Sequence, residues 1–137
     1  MAAVDRTFRW GGDEVLASDY EQLMQSNLAA VFSEADPLAR MQAVEALYSA
    51  APTLYEPGGV VQGRQAISDT VGRLLASLPT GFAFTVAGPT VGHHDMCCVR
   101  WRGGPPDGPA SITGSDVAQI EDGKIRALYV FIDPAPH

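Results

Sequence analysis

The chain is poor in cysteine, in basic charge and in long apolar runs. Its only two cysteines, Cys97 and Cys98, are neighbours. Adjacent side chains on a strand point to opposite faces, and a vicinal bridge forms only with strain. A disulfide framework and a zinc-finger spacing are therefore excluded, and both thiols read as core or interface groups ahead of a catalytic one. Nine Lys and Arg stand against 16 Asp and Glu, a formal net charge of −7. The basic residues are scattered, so there is no patch to release counterions from nucleic acid or to sit on an anionic membrane. No apolar stretch approaches the roughly 18 residues of a membrane span. The opening MAAVDRTFRWGGDE lacks a charged start followed by a continuous apolar run, so it does not read as a secretory signal, and a cytoplasmic protein is expected. A phosphate-cradling loop is also missing, because GGPPDGP (103–109) leads from one strand to the next. His93, His94, Asp95 and Asp116 have no metal-ligand spacing, and the two histidines diverge. No metal and no other cofactor is expected.

What is present is enough for one core. The chain has 137 residues, 46% of them hydrophobic, which fits a single domain. An N-terminal arm is expected over residues 1–14 and one domain over 15–134. Ser18-Asp-Tyr-Glu21 has the form of a capping box, opening a helix with Tyr20, Met24, Leu28, Val31 and Phe32 on its apolar face. Asp36-Pro37 starts a second helix, about 37–50, whose stripe would be Leu38, Met41, Val44, Ala46, Leu47 and Tyr48. Pro52 stops it. A short strand, Thr53 to Glu56, breaks at Pro57-Gly58-Gly59, and Val60 and Val61 resume it. A third helix follows Gly63, with Ile67, Val71, Leu74, Leu75 and Leu78 inward.

Beyond residue 81 the period becomes two. Phe82, Phe84 and Val86 alternate, and strands are expected over 94–102, 110–121 and 124–132, the last two joined by a tight Asp122-Gly123 turn. The pattern predicts three helices, then a four-stranded antiparallel meander: an α+β fold with helices on one side of a sheet. The strand 124–132 is apolar on both faces from Ala127 onward. One face needs cover beyond the helices, and a homodimer through the outer face, at Tyr129 and Phe131, is the expected cover.

Two stretches resemble one superfamily. ALYSAAPTLYEPGGVVQGRQAI (46–67) and ITGSDVAQIEDGKIRALYVFID (112–133) are similar to segments of the nuclear-transport-factor-2-like proteins, which include ketosteroid isomerases and SnoaL-like polyketide cyclases. The match covers roughly residues 15–133. It implies a cone-shaped α+β fold: three N-terminal helices on a curved, mostly antiparallel sheet around an apolar pocket for a small hydrophobic molecule. In the ketosteroid isomerases an aspartate base moves a proton while a tyrosine and a protonated aspartate hold the oxyanion. Carried over, Glu56 falls at the base position, Phe32 stands where the tyrosine would be, and Thr113 stands at the second donor. Phe32, Leu54, Val99, Trp101, Leu128, Val130 and Ile132 are then expected to line the pocket.

Each candidate has a plainer reading. Glu56 is either a general base with a desolvated carboxylate or a rim carboxylate bonded to backbone N–H groups or to Arg64. If Val99 and Trp101 face inward, strand parity puts His93 and Asp95 on their side, where His93 could replace the lost donor; the alternative is plain loop. Asp116 is either a second carboxylate for an acid/base pair or a structural ion-pair partner of Arg100 or Arg126, and the ion pair is expected because its strand parity is opposite to that of Thr113. Tyr48 reads as core on the second helix, and Tyr55, next to Glu56, faces away. Two functions follow. One is a cofactor-independent isomerase, cyclase or dehydratase with Glu56 as base. The other is a non-catalytic ligand-binding or protein-interaction module on the same fold.

Overall fold

The computed structural model describes residues 17–135, so the arm expected over residues 1–14 lies outside the described residues. Three helices pack on a curved, mostly antiparallel seven-stranded sheet, an α+β arrangement. Helix α1 (Ala17–Ser26) runs on into a wide π-turn over Asn27–Phe32, which keeps Asn27, Leu28, Val31 and Phe32 all buried. Ala17 is already helical, so the backbone at Ser18 lies within the helix. Helix α2 (Pro37–Leu47) starts as expected: the Asp36 carboxylate accepts the Ala39 N–H at 2.9 Å, and Pro37 takes the first turn. Helix α3 spans Arg64–Ala76.

The strands are β1 (Tyr48–Glu56), β2 (Gly59–Gln62), β3 (Ala83–Val86), β4 (Val91–His93), β5 (Met96–Gly104), β6 (Ile112–Glu121) and β7 (Lys124–Ile132). Their order is β2-β1-β7-β6-β5-β3, with β4 also paired to β5. The β1–β2 pair is thus no separate ribbon. It joins the meander through a parallel β1–β7 ladder.

Three expectations change. First, α2 stops at Leu47, and Tyr48 opens β1 opposite Ile125. Pro52 sits inside the strand, where the β1–β7 register shifts between Tyr48 and Thr53; the irregularity accommodates a residue with no N–H for the ladder. Arg64 fixes this start by donating to the carbonyls of Tyr48 (2.8 Å) and Ser49 (3.0 Å). Second, α2 buries Val44 and Arg40, while Leu38 is 67% exposed. Arg40 is satisfied by the Ser68 hydroxyl at 3.1 Å and the Glu34 carbonyl at 2.7 Å, and its guanidinium lies over Gly72, where any side chain would collide with it. Third, the strand expected over 94–102 is a hairpin, β4–β5. His94 and Asp95 form its turn at φ 51° and 65°, left-handed values that both residue types tolerate.

Inside the sheet the alternation is strict. Cys97, Val99, Trp101 and Gly103 of β5 face the helices with Gly114, Asp116, Ala118 and Ile120 of β6. Both cysteines are free: Cys97 is buried, and Cys98, on the other face, is half-buried. Among the described residues no helix is long and apolar enough to cross a membrane.

Candidate functional site

The inner face of the sheet does not pack solid. A cavity of about 320 Å³ opens between the π-turn, α3 and the ends of β1, β5, β6 and β7. Leu28 and Phe32, four residues apart on the π-turn, form its roof, with Phe84, Trp101 and Asp116 buried behind them. Glu56, Pro57, Gly58, Leu74 and Ile132 form the more exposed rim. The aromatic wall is a chain of edge-to-face contacts: Phe32–Phe84 at 6.5 Å and Phe84–Trp101 at 5.5 Å between centroids. The Ser33 hydroxyl pins Phe84 by accepting its N–H at 2.9 Å and donating to its carbonyl at 3.2 Å.

Asp116 is the polar centre of this apolar wall. It lies opposite Val99 on β5 and Val130 on β7, and it is only 3% exposed. Its Oδ1 accepts the Trp101 indole N–H at 2.8 Å. Burial pushes its carboxyl up to about 7, against the smaller opposing effect of that indole bond. A carboxyl balanced there is part acid and part base at neutral pH, which suits proton transfer. Tyr48 stands near it, fully buried, its hydroxyl donating to Asn27 Oδ1. Burial, then the Asp116 charge, raises this phenol well above its ordinary value, so it stays a neutral donor.

Glu56 is the second carboxyl of the cavity, at the end of β1 where Pro57 and Gly58 turn into β2. Arg64 is not its partner, being committed to backbone carbonyls of α2 and β1. Among the described residues no Lys, Arg or His lines the cavity.

Of the residues singled out from sequence, Glu56, Phe32, Trp101, Val130 and Ile132 meet at this cavity. Leu54, Val99 and Leu128 share its face but are core residues, each at most 1% exposed. Thr113 and His93 do not join it. Thr113 is on the outer face, where its hydroxyl donates to Asp133 Oδ2 at 2.7 Å. Arg100 grips the same carboxylate at 2.6 and 3.0 Å, and Arg100 first, then Thr113, hold Asp133 down to about 2. His93 is exposed at the end of β4, its Nδ1 2.8 Å from His94 Nδ1. The turn at His94–Asp95 ends the strand whose parity would have aimed it inward.

The residue whose place differs most from expectation is Asp116. Its ion pair with Arg100 or Arg126 does not form: Arg100 binds Asp133, and Arg126 bonds the Gln119 side chain. The opposite parity of Asp116 and Thr113 is correct, but the inward one is Asp116. The long 103–109 connection hides the β5–β6 register, so the strand's faces were assigned the wrong way round. The signal was the run Gly114-x-Asp116-x-Ala118-x-Ile120, small and apolar on every alternate position except one acid.

Comparison with known proteins agrees with this architecture. A family model described as a SnoaL-like domain matches residues 27–128. No curated protein matches the chain. A proposed isomerase of the SnoaL-like family from Agrobacterium tumefaciens str. C58 is 26% identical, with a TM-score of 0.79 over 85% of this chain and 99% of that one. A proposed ketosteroid isomerase from Kribbella flavida DSM 17836 is 14% identical, TM-score 0.65, covering 89% of this chain and 83% of that one. A proposed SnoaL-like polyketide cyclase from Jannaschia sp. CCS1 is 13% identical, TM-score 0.69, covering 90% and 92%. The last two likenesses speak to the fold alone. The matched segment spans most of the chain and contains the buried floor of the cavity, and the chain belongs to the SnoaL-like domain family, on the nuclear-transport-factor-2-like fold.

Proposed function

We propose that this protein is a cofactor-independent isomerase or cyclase for a small hydrophobic carbonyl compound, working with two carboxyl groups. Glu56 removes a proton from the carbon next to the carbonyl. The C–H electron pair moves into the π-system, and charge develops on the carbonyl oxygen. Asp116, in its protonated form, donates to that oxygen. Glu56 then returns its proton to another carbon of the conjugated system, which completes an isomerisation; attack of the enolate on a second carbonyl would instead close a ring. The observation that carries the reading is one carboxyl, 3% exposed, at the base of an apolar cavity with a second at its rim. Phe32, Trp101, Val130 and Ile132 hold the substrate and exclude water.

The test is solvent-deuterium exchange and double-bond migration on a panel of β,γ-unsaturated cyclic ketones. Glu56→Gln abolishes exchange. Asp116→Asn keeps an acceptor for the Trp101 N–H but loses the acid, and rates fall on the order of 10²-fold or more. Binding of the panel with no exchange by the wild type would favour the binding-module reading. Exchange unaffected by either change would remove both residues from the mechanism. A homodimer through the outer sheet face is part of the same proposal. Tyr129 stacks on Tyr55 at 4.3 Å there and Phe131 is 55% exposed. Phe131→Glu turns such a dimer into a monomer in sedimentation, and an unchanged mass rules this face out.

A further inference from the structure

We infer that Trp101 is a positioning residue for Asp116: its indole holds one carboxyl oxygen from the wall of the cavity, so that the other is presented to the ligand, and Gly114 is the residue that lets the indole lie there. The inference rests on the proposed role of Asp116 in substrate chemistry and adds to it which group sets the carboxyl's orientation and proton affinity.

Three observations carry it. Trp101 and Gly114 are direct cross-strand partners, and Gly114 and Asp116 are successive inward residues of β6. A Cβ at Gly114 would lie 2.4 Å from Trp101 Cζ2 and 2.9 Å from Cε2, and 2.2 Å from the Phe131 carbonyl oxygen of β7. The indole fills the space a side chain at Gly114 would need on this side, and from there it reaches the next inward side chain. The ring is also clamped by Phe84, edge-to-face at 5.5 Å. Phe84 has its own seat over Gly103, where a Cβ would come within 2.9 Å of Phe82, Phe84 and Ile112. The indole N–H therefore has one direction to point in, and Asp116 Oδ1 is there at 2.8 Å. Among the described residues Oδ2 has no protein partner.

The consequence is a fixed rotamer and a directed proton. With Oδ1 occupied by a donor that cannot accept, the carboxyl's own proton resides on Oδ2. The other titratable groups around Asp116 are Tyr48, on β1 and neutral, and Glu56, at the rim. Among the described residues no cationic side chain lines the cavity to substitute for the indole N–H.

The experiment reads the bond directly in the wild-type protein. There are two tryptophans, Trp10 and Trp101. The Trp101 indole N–H resonance should titrate with the midpoint of the Asp116 carboxyl carbon, moving downfield as the carboxylate forms. In Trp101→Phe, which keeps a ring without the donor, the Asp116 midpoint should rise by about one pH unit. If the protein is active on the ketone panel, the limb of the kcat profile moves with it. An indole resonance that ignores the Asp116 titration, or a midpoint unmoved or lowered in Trp101→Phe, overturns the inference. Intact coupling with full activity in Asp116→Asn would refute the functional reading alone.

Discussion

Replacing Asp116 by asparagine should make the fold less sensitive to pH between about 4 and 7. An aspartate ordinarily titrates near 3.8, and burial places the folded-state value near 7. Between those values the folded chain holds a proton that the unfolded chain has released. Stability therefore falls as pH rises through the window from about 4 to about 7, and the loss is complete above it. About three pH units at roughly 1.4 kcal/mol each gives a penalty of about 4 kcal/mol for carrying ionised Asp116 at pH 8. Screening does not discount it, because the residue is 3% exposed and, among the described residues, no cation lines the cavity. Asparagine keeps the shape and the acceptor for Trp101 without the ionisation. Urea denaturation of both proteins at intervals from pH 4.5 to 8.5 isolates the effect, since all other titrating groups cancel in the difference. The variant should gain on the wild type progressively, by a few kcal/mol across the window. A difference constant to within about 0.5 kcal/mol would mean that Asp116 is solvated or ion-paired, and the account of the site would fail with it.

Other outcomes follow from the same packing. Tyr48→Phe strands Asn27 Oδ1 in the core and should cost about 1–3 kcal/mol in urea denaturation. Phe84→Ala removes the middle of the aromatic wall and should cost about 3–5 kcal/mol while enlarging the cavity, read by tighter binding of bulkier apolar ligands. Cys97, pushed up to about 11 by burial and then by its neighbour Cys98, should resist iodoacetamide until the protein is unfolded, as followed by mass spectrometry. Asp36→Ala should cost about 1 kcal/mol through the lost cap of α2, with little effect on ligand binding.

The local signals in the sequence were strong where one residue type decides the geometry. Asp36-Pro37, Asp122-Gly123 and the two-residue period of 112–121 each led to the element observed, because caps, tight turns and strand alternation are short-range physics. Glu56 was singled out by the resemblance, and Pro57 and Gly58 end its strand at the rim of the cavity. Apart from the helix start at Ser18 and the His94–Asp95 turn, the errors are long-range. Tyr48 reads equally well as helix or strand, and only Arg64, 16 residues on, settles it by capturing its carbonyl. Leu38 fits a helical stripe, but α3 offers α2 a seat for the Arg40 guanidinium over Gly72, so the helix turns its other face inward. Asp116 was misjudged because the facing of β6 is fixed by its register with β5 across a proline-rich connection of uncertain length. One slipped position exchanges every inward residue for its outward neighbour.

The carboxyl carbon of Asp116, followed by 13C NMR from pH 4 to 9, tests the central claim most directly. The account predicts a midpoint near 7 in the free protein and a displaced midpoint when an apolar ketone fills the cavity. A midpoint near that of an ordinary aspartate, indifferent to the ligand, would contradict it.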